Sequence, residues 1–143
     1  MSALDPITVS VSVQASPRRA WEMFTDPASV TEWNFASPDW HCPHAESELR
    51  EGGKFRYRME ARDGSFGFDF EGTFLEFSPP TRLRYSLGEN REVVVRFAGQ
   101  GERTLVTESF TPEPTHSLEQ QRSGWQSRLD NYKQHVEASA GVA

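Results

Sequence analysis

An α+β domain, in which a curved antiparallel sheet of seven strands wraps one long C-terminal helix, is predicted by three features of the sequence. Residues 7–13, ITVSVSV, alternate strictly between apolar and polar, the period of a strand with one buried face. Six further segments between residues 45 and 110 are patterned as strands and separated by Gly, Pro and Asp-Gly punctuation. Residues 117 to about 137 carry Leu118, Trp125, Leu129, Tyr132 and Val136 at spacings of 7, 4, 3 and 4, a stripe along one side of a helix.

The first strand buries Ile7, Val9, Val11 and Val13. Ser16-Pro17 then reads as an N-cap followed by proline at the first helical position, with Ala20, Trp21 and Phe24 on one face. Asp26-Pro27 repeats that start signal, so a second short helix is expected to about Trp33. A loop follows, with Pro38 and Pro43 inside it, and residues 45–50 read as a short extended segment.

Gly52-Gly53 makes a turn into KFRYRME, which places Phe55, Tyr57 and Met59 on one face and Lys54, Arg56, Arg58 and Glu60 on the other. Asp63-Gly64 signals a tight hairpin in which both central residues take positive φ. In FGFDFEGTFLEF, Phe66, Phe68, Phe70 and Phe74 share one parity while Leu75 and Phe77 have the other, so a bulge is expected near Gly72. RLRYSL, VVVRF and TLVTESF supply three more strands, with turns at residues 88–90 and 99–101. Ser117 caps the last helix, and the chain is expected to fray from about Ser139. A helix of about 20 residues spans about 30 Å, enough to lie across the sheet and grip its concave face. This helix-grip arrangement leaves a space between helix and sheet.

The bulk composition narrows the function classes. The 143 residues suit one domain. A net charge of −6 without a basic run argues against nucleic acid as a partner. No apolar run approaches the roughly 20 residues that cross a bilayer, so no membrane association is expected. No signal peptide is recognised at Met1, and one cysteine fits a reducing compartment. The expected location is the cytoplasm.

The order of these pieces resembles a known family. SPRRAWEMFTDPASVTEW, LREGGKFRYRMEARDGSFGFDFEGTFLEFSPPTRL, TLVTESF and EQQRSGWQSRLDNYKQHVE together resemble a START-like (SRPBCC) domain of the branch named for the activator of the heat-shock protein 90 ATPase. The resemblance runs from about Ile7 to Glu137. It implies the helix-grip fold and a cavity under the last helix. Related domains bind lipids, plant hormones or polyketides, and some are aromatase/cyclases.

Four groups of residues are candidates for chemistry. His41, Cys42 and His44 in HCPH offer metal-type donors. Zinc needs three or four ligands from a defined framework, and no CxxC or HExxH accompanies them, so no metal is expected. Cys42 is read as a loop residue against Trp40 beside exposed histidines, rather than as a nucleophile. Glu108 shares its parity with Thr104, Val106 and Phe110, and Arg122 lies about 40° from Leu118 on a helical wheel. Both charges are thus expected on apolar faces that meet. They form a buried structural pair, or Arg122 anchors a ligand carboxylate or phenolate, or one of them snorkels to water.

The aromatic residues Trp33, Phe35, Trp40, Phe55, Tyr57, Phe68, Phe70 and Trp125 are expected to line the cavity, with Tyr132 beside them, and Gly124 is expected to let the helix approach a neighbour. Trp33, Phe35 and Trp40 are read as its rim. Lys54, Arg56 and Arg58 read as a solvated outer face that pairs with Asp69 and Glu71.

No GxSxG, phosphate-cradling loop or paired carboxylates appear. The function expected is a binding module for a small hydrophobic or amphipathic molecule, without a cofactor, in a cavity with room for a drug-sized ligand. The alternatives are a polyketide aromatase/cyclase-like enzyme working through Glu108, Arg122 or His41, and a chaperone-ATPase activator acting through its surface. The ligand is not specified by the sequence, and a homodimer is left open.

Overall fold

The computed structural model describes residues 5–88 and 90–140, the side chains of 139 and 140 excepted. In chain order the elements are β1 (Ile7–Val13), α1 (Pro17–Thr25), α2 (Pro27–Trp33), β2 (Trp40–Ser47), β3 (Lys54–Ala61), β4 (Gly67–Ser78), β5 (Arg82–Gly88), β6 (Arg91–Gln100), β7 (Arg103–Phe110) and α3 (Leu118–Ala140). The seven strands form one antiparallel sheet in the order β1-β7-β6-β5-β4-β3-β2. The meander places β1, first in sequence, beside β7, last in sequence. The two short helices and α3 lie on the face that buries Val9, Phe55, Phe74, Tyr85, Val95 and Val106.

Local chemistry accounts for the helix starts. The Ser16 hydroxyl accepts from the Arg19 amide at 3.2 Å, and the Asp26 carboxylate accepts from the Ala28 amide at 3.4 Å. At α3 the Gln120 amide donates to the Ser117 hydroxyl at 3.0 Å, and the Gln120 side chain reaches back to the Ser117 amide at 3.2 Å, a reciprocal cap. The backbone of α3 continues to Ala140, and most of the tail expected to fray, residues 141–143, lies outside the described part.

Several local expectations are corrected. HCPH is not in a loop: it lies inside β2, which carries an irregularity between His41 and His44. That irregularity turns Cys42 inward and leaves Pro43 and His44 exposed. The β3–β4 connection is longer than a two-residue hairpin, because Ala61 and Phe66 close it and only Gly64, at φ 76°, takes a positive φ among the described turn residues. The Asp63 carboxylate instead accepts from the Ser65 amide at 2.8 Å.

The β4 bulge falls between Phe74 and Glu76, not at Gly72. The extra residue returns Phe77 to the face of Phe74, and the two rings meet edge-on at 5.4 Å. Gly72 has another role: a Cβ there would sit 2.5 Å from Phe55 Cζ and 2.5 Å from the Ser86 carbonyl oxygen. Gly124 meets nothing within 4 Å, so it is not a close-approach glycine. On the outer face Arg58 pairs with Asp69 at 3.5 Å as expected, and also with Glu60 at 2.9 Å, whereas Arg56 pairs with Glu46. Among the described residues no helix is long and apolar enough to cross a membrane.

Candidate functional site

Helix α3 supplies the inner wall of the site, and its register decides which side chains enter. Gln121, Leu129, Tyr132 and Val136 are buried, but Leu118 is 52% exposed. The helix engages the sheet only after its first turn, so the apolar stripe begins near Gln121. Arg122 sits about 100° round the helix from the buried Gln121, where this end of α3 faces solvent. That residue is exposed, and its guanidinium donates to the Thr8 carbonyl at 2.9 Å. The expected Glu108–Arg122 meeting does not occur.

The charge that enters is Arg128, which lies about 40° from Tyr132 on an ideal wheel. Its Nε and Nη2 donate to Asn34 Oδ1 at 2.8 and 2.6 Å. Its guanidinium carbon sits 4.7 Å from the Trp125 ring centroid and 5.5 Å from that of Phe70, within cation–π range. Asn34 is itself buried at the end of α2, and its amide nitrogen lies 3.4 Å from Met59 Sδ. Its oxygen is thereby committed to Arg128.

Around this cation is a pocket of about 240 Å³, lined by Asn34, Ala36, Trp40, Met59, Phe68, Phe70, Trp125 and Arg128. Trp125 is held from behind by Phe110, stacked at 4.2 Å with 11° between ring planes. At the rim, Trp40, Phe66 and Phe68 meet at 5.9 to 6.1 Å. Phe66 is 61% and Phe68 42% exposed, so this aromatic rim is also the opening. Trp40 thus faces the pocket rather than capping the core. The volume falls short of the roughly 300–1,000 Å³ of drug-sized sites, which corrects the expected ligand size. An apolar cavity of about 150 Å³ takes one benzene ring. The observed space suits one substituted ring or two fused rings.

Beneath Arg128 lies a second, enclosed space of about 10 Å³, lined by Phe24, Thr25, Trp33, Phe55, Tyr57, Phe74, Leu83, Tyr85 and Arg128. It has room for about one water molecule. The expected cavity residues therefore divide. Trp40, Phe68, Phe70 and Trp125 line the outer pocket, while Trp33, Phe55 and Tyr57 border the inner space. Trp33 is core rather than rim: its indole donates to the Met23 carbonyl at 3.0 Å, and its ring meets Tyr132 at 5.2 Å. Phe35 borders a separate surface groove with Pro38, Arg62 and Asn131. Asn34, Ala36, Met59 and Arg128 were not anticipated as lining.

Glu108 does point inward and is 2% exposed. Burial pushes its carboxyl up to about 7, against the pull of the Arg128 charge. Among the described residues none donates a hydrogen bond to this carboxylate. Burial likewise raises the phenols of Tyr57 and Tyr85. Cys42 is buried, its thiol 3.6 Å from the His44 carbonyl oxygen, and burial raises its pKa. That is the reverse of what an activated nucleophile needs. His41 lies 3.8 Å from Glu60 on the strand surface, and among the described residues no group of three His, Cys, Asp or Glu side chains converges. His135 meets the Ser29 hydroxyl at 2.8 Å, and His116 meets Glu113 at 2.9 Å.

A helix-grip domain with an apolar pocket beneath its long helix is the class that this geometry defines. Residues 14–137 match the family described as Activator of Hsp90 ATPase homolog 1-like protein, and the chain belongs to that family. The AHSA1-like protein from Aeromonas hydrophila is 41% identical, with a TM-score of 0.85 over 96% of each chain. A protein from Cytophaga hutchinsonii is 38% identical, with a TM-score of 0.81 over 96% of each chain. A protein from Nitrosomonas europaea shares the fold at 18% identity, with a TM-score of 0.80 over 99% of each chain. Among curated proteins none matches this chain.

Proposed function

We propose that this protein binds a small apolar or amphipathic molecule, of one substituted ring or two fused rings, between α3 and the β2–β4 end of the sheet. The observation that carries the reading is the 240 Å³ pocket walled by Trp40, Met59, Phe68, Phe70 and Trp125, with a single guanidinium at its base. Apolar walls with a few fixed polar groups are the usual make-up of a ligand site. We also propose that the protein works in the cytoplasm, where its one thiol stays reduced. A binding role is preferred to catalysis because Cys42 and His41 are not arranged as a nucleophile and base, and Glu108 does not border the outer pocket. A chaperone-activating role is suggested only by the family's description.

Native mass spectrometry and thermal shift with neutral one- and two-ring aromatic compounds test the reading. One-to-one complexes and a raised Tm are expected. An Ala36→Trp variant, which fills the pocket, should abolish both. If no compound of this size binds the wild type, the reading is wrong.

A further inference from the structure

We infer that the pocket is built for an anionic ligand: a planar ring compound bearing a carboxylate that bonds to Arg128, with its ring against Trp125, Phe70 and Phe68. The inference rests on the binding role proposed above and names the chemical class of the ligand.

The argument begins with the donors of one side chain. A guanidinium carries five N–H donors and stays charged throughout the working pH range. Asn34 Oδ1 takes one from Nε and one from Nη2. Both hydrogens of Nη1 and the second of Nη2 have no acceptor among the described residues, although Arg128 borders both the outer pocket and the inner space. Arg128 is half-buried, so these donors face the open pocket, where a ligand oxyanion can take the place of water.

No carboxylate pairs directly with this charge among the described residues; the buried Glu108 acts on it only at longer range, and its carboxyl holds its proton up to about pH 7. Carboxylates lie within 4.0 Å of Arg50, Arg56, Arg58, Arg82, Arg84 and Arg103, fewer than half of the chain's arginines. Among the described residues Arg128 has no such partner. Its direct contacts are the neutral amide of Asn34 and two aromatic rings. These hold the cation in place without neutralising it. Asn34 could have been an aspartate at no cost in volume. An amide there fixes the guanidinium and leaves its charge available. Trp125 is in turn fixed by its stack on Phe110, so cation and ring wall are both positioned before a ligand arrives.

The polar and apolar parts of the pocket set the ligand's orientation. The cation is at the base, bordering the one-water space, and the exposed rings of Phe66 and Phe68 are at the mouth. An aromatic acid therefore enters carboxylate first and leaves its ring edge at the rim. A cationic amphiphile is rejected by the same charge.

Calorimetric titration with 2-naphthoate and its neutral isostere 2-naphthalenemethanol tests the assignment. The wild type should bind the acid at least tenfold more tightly than the alcohol. Arg128→Met should lose the preference and bind the two equally. Arg128→Lys keeps the charge but loses the fork that grips Asn34; it should keep a reduced preference for the acid, and it serves if the methionine variant does not fold. Equal affinity for acid and alcohol in the wild type overturns the anion assignment and leaves the proposed pocket standing. A preference for the acid that persists undiminished in Arg128→Met overturns the role of Arg128. If neither probe binds and no neutral aromatic compound binds either, the pocket reading and this inference fall together.

Discussion

Replacing Glu108 by Gln should change how stability depends on pH, in a direction and size that follow from burial. The carboxyl of Glu108 is 2% exposed and titrates at about 7 in the native protein, against an ordinary value of 4.5. Between those two pH values the native state keeps a proton that the unfolded chain has released. Stability therefore falls as pH rises from about 4.5 to about 7 and levels off above that. The rise from 4.5 to about 7 corresponds to about 3 kcal/mol. Gln keeps the shape and cannot ionise, so this loss should vanish in the variant. His135 acts in the opposite sense, because burial lowers its pKa and stability gained there rises with pH. That contribution is common to both proteins and cancels in their difference. Urea unfolding followed by circular dichroism, from about pH 4.5 to pH 8.5, should show Glu108→Gln gaining on the wild type by about 3 kcal/mol across the window. A difference that stays flat with pH would refute the assignment of a buried, protonatable carboxyl to this position.

Two further outcomes follow from particular contacts. Gly72→Ala would drive a methyl to 2.5 Å from both the Phe55 ring and the Ser86 carbonyl oxygen; the backbone atom cannot step aside, so a loss of about 1–3 kcal/mol is expected, and an unchanged Tm would contradict it. Arg122→Met removes only an exposed bond to the Thr8 carbonyl. It should alter stability by less than about 1 kcal/mol and leave calorimetric affinity for naphthoate unchanged, whereas a tenfold loss would return the anchoring role to that residue.

The elements of the fold were legible because they follow from local chemistry. Strict alternation marks Ile7–Val13, and Ser16-Pro17 and Asp26-Pro27 mark the two short helices where they are observed. The site was less legible, for two reasons. The helix stripe was referenced to Leu118, yet the first turn of α3 stands clear of the sheet, and only tertiary packing determines where contact begins. The spacing of Arg128 to Trp125 and Tyr132 was the available signal, but it puts the side chain at the edge of the stripe, where only packing decides whether it turns inward. HCPH failed differently. Two histidines, a cysteine and a proline carry little strand patterning, and β2 forms because β3 offers an edge to pair with. Asn34 and Ala36 had no sequence signal. They enter the pocket because the chain crosses from α2 to the sheet edge beside α3.

Arg128 is a wall shared by two spaces, the outer pocket and the enclosed one beneath it. The length of the binding slot is therefore a rotameric property of one side chain, set independently of the strands. Shortening that side chain should join both spaces into a deeper channel reaching Tyr57 and Tyr85. A single codon on α3 thus sets both the charge beside the pocket and the depth of the space behind it.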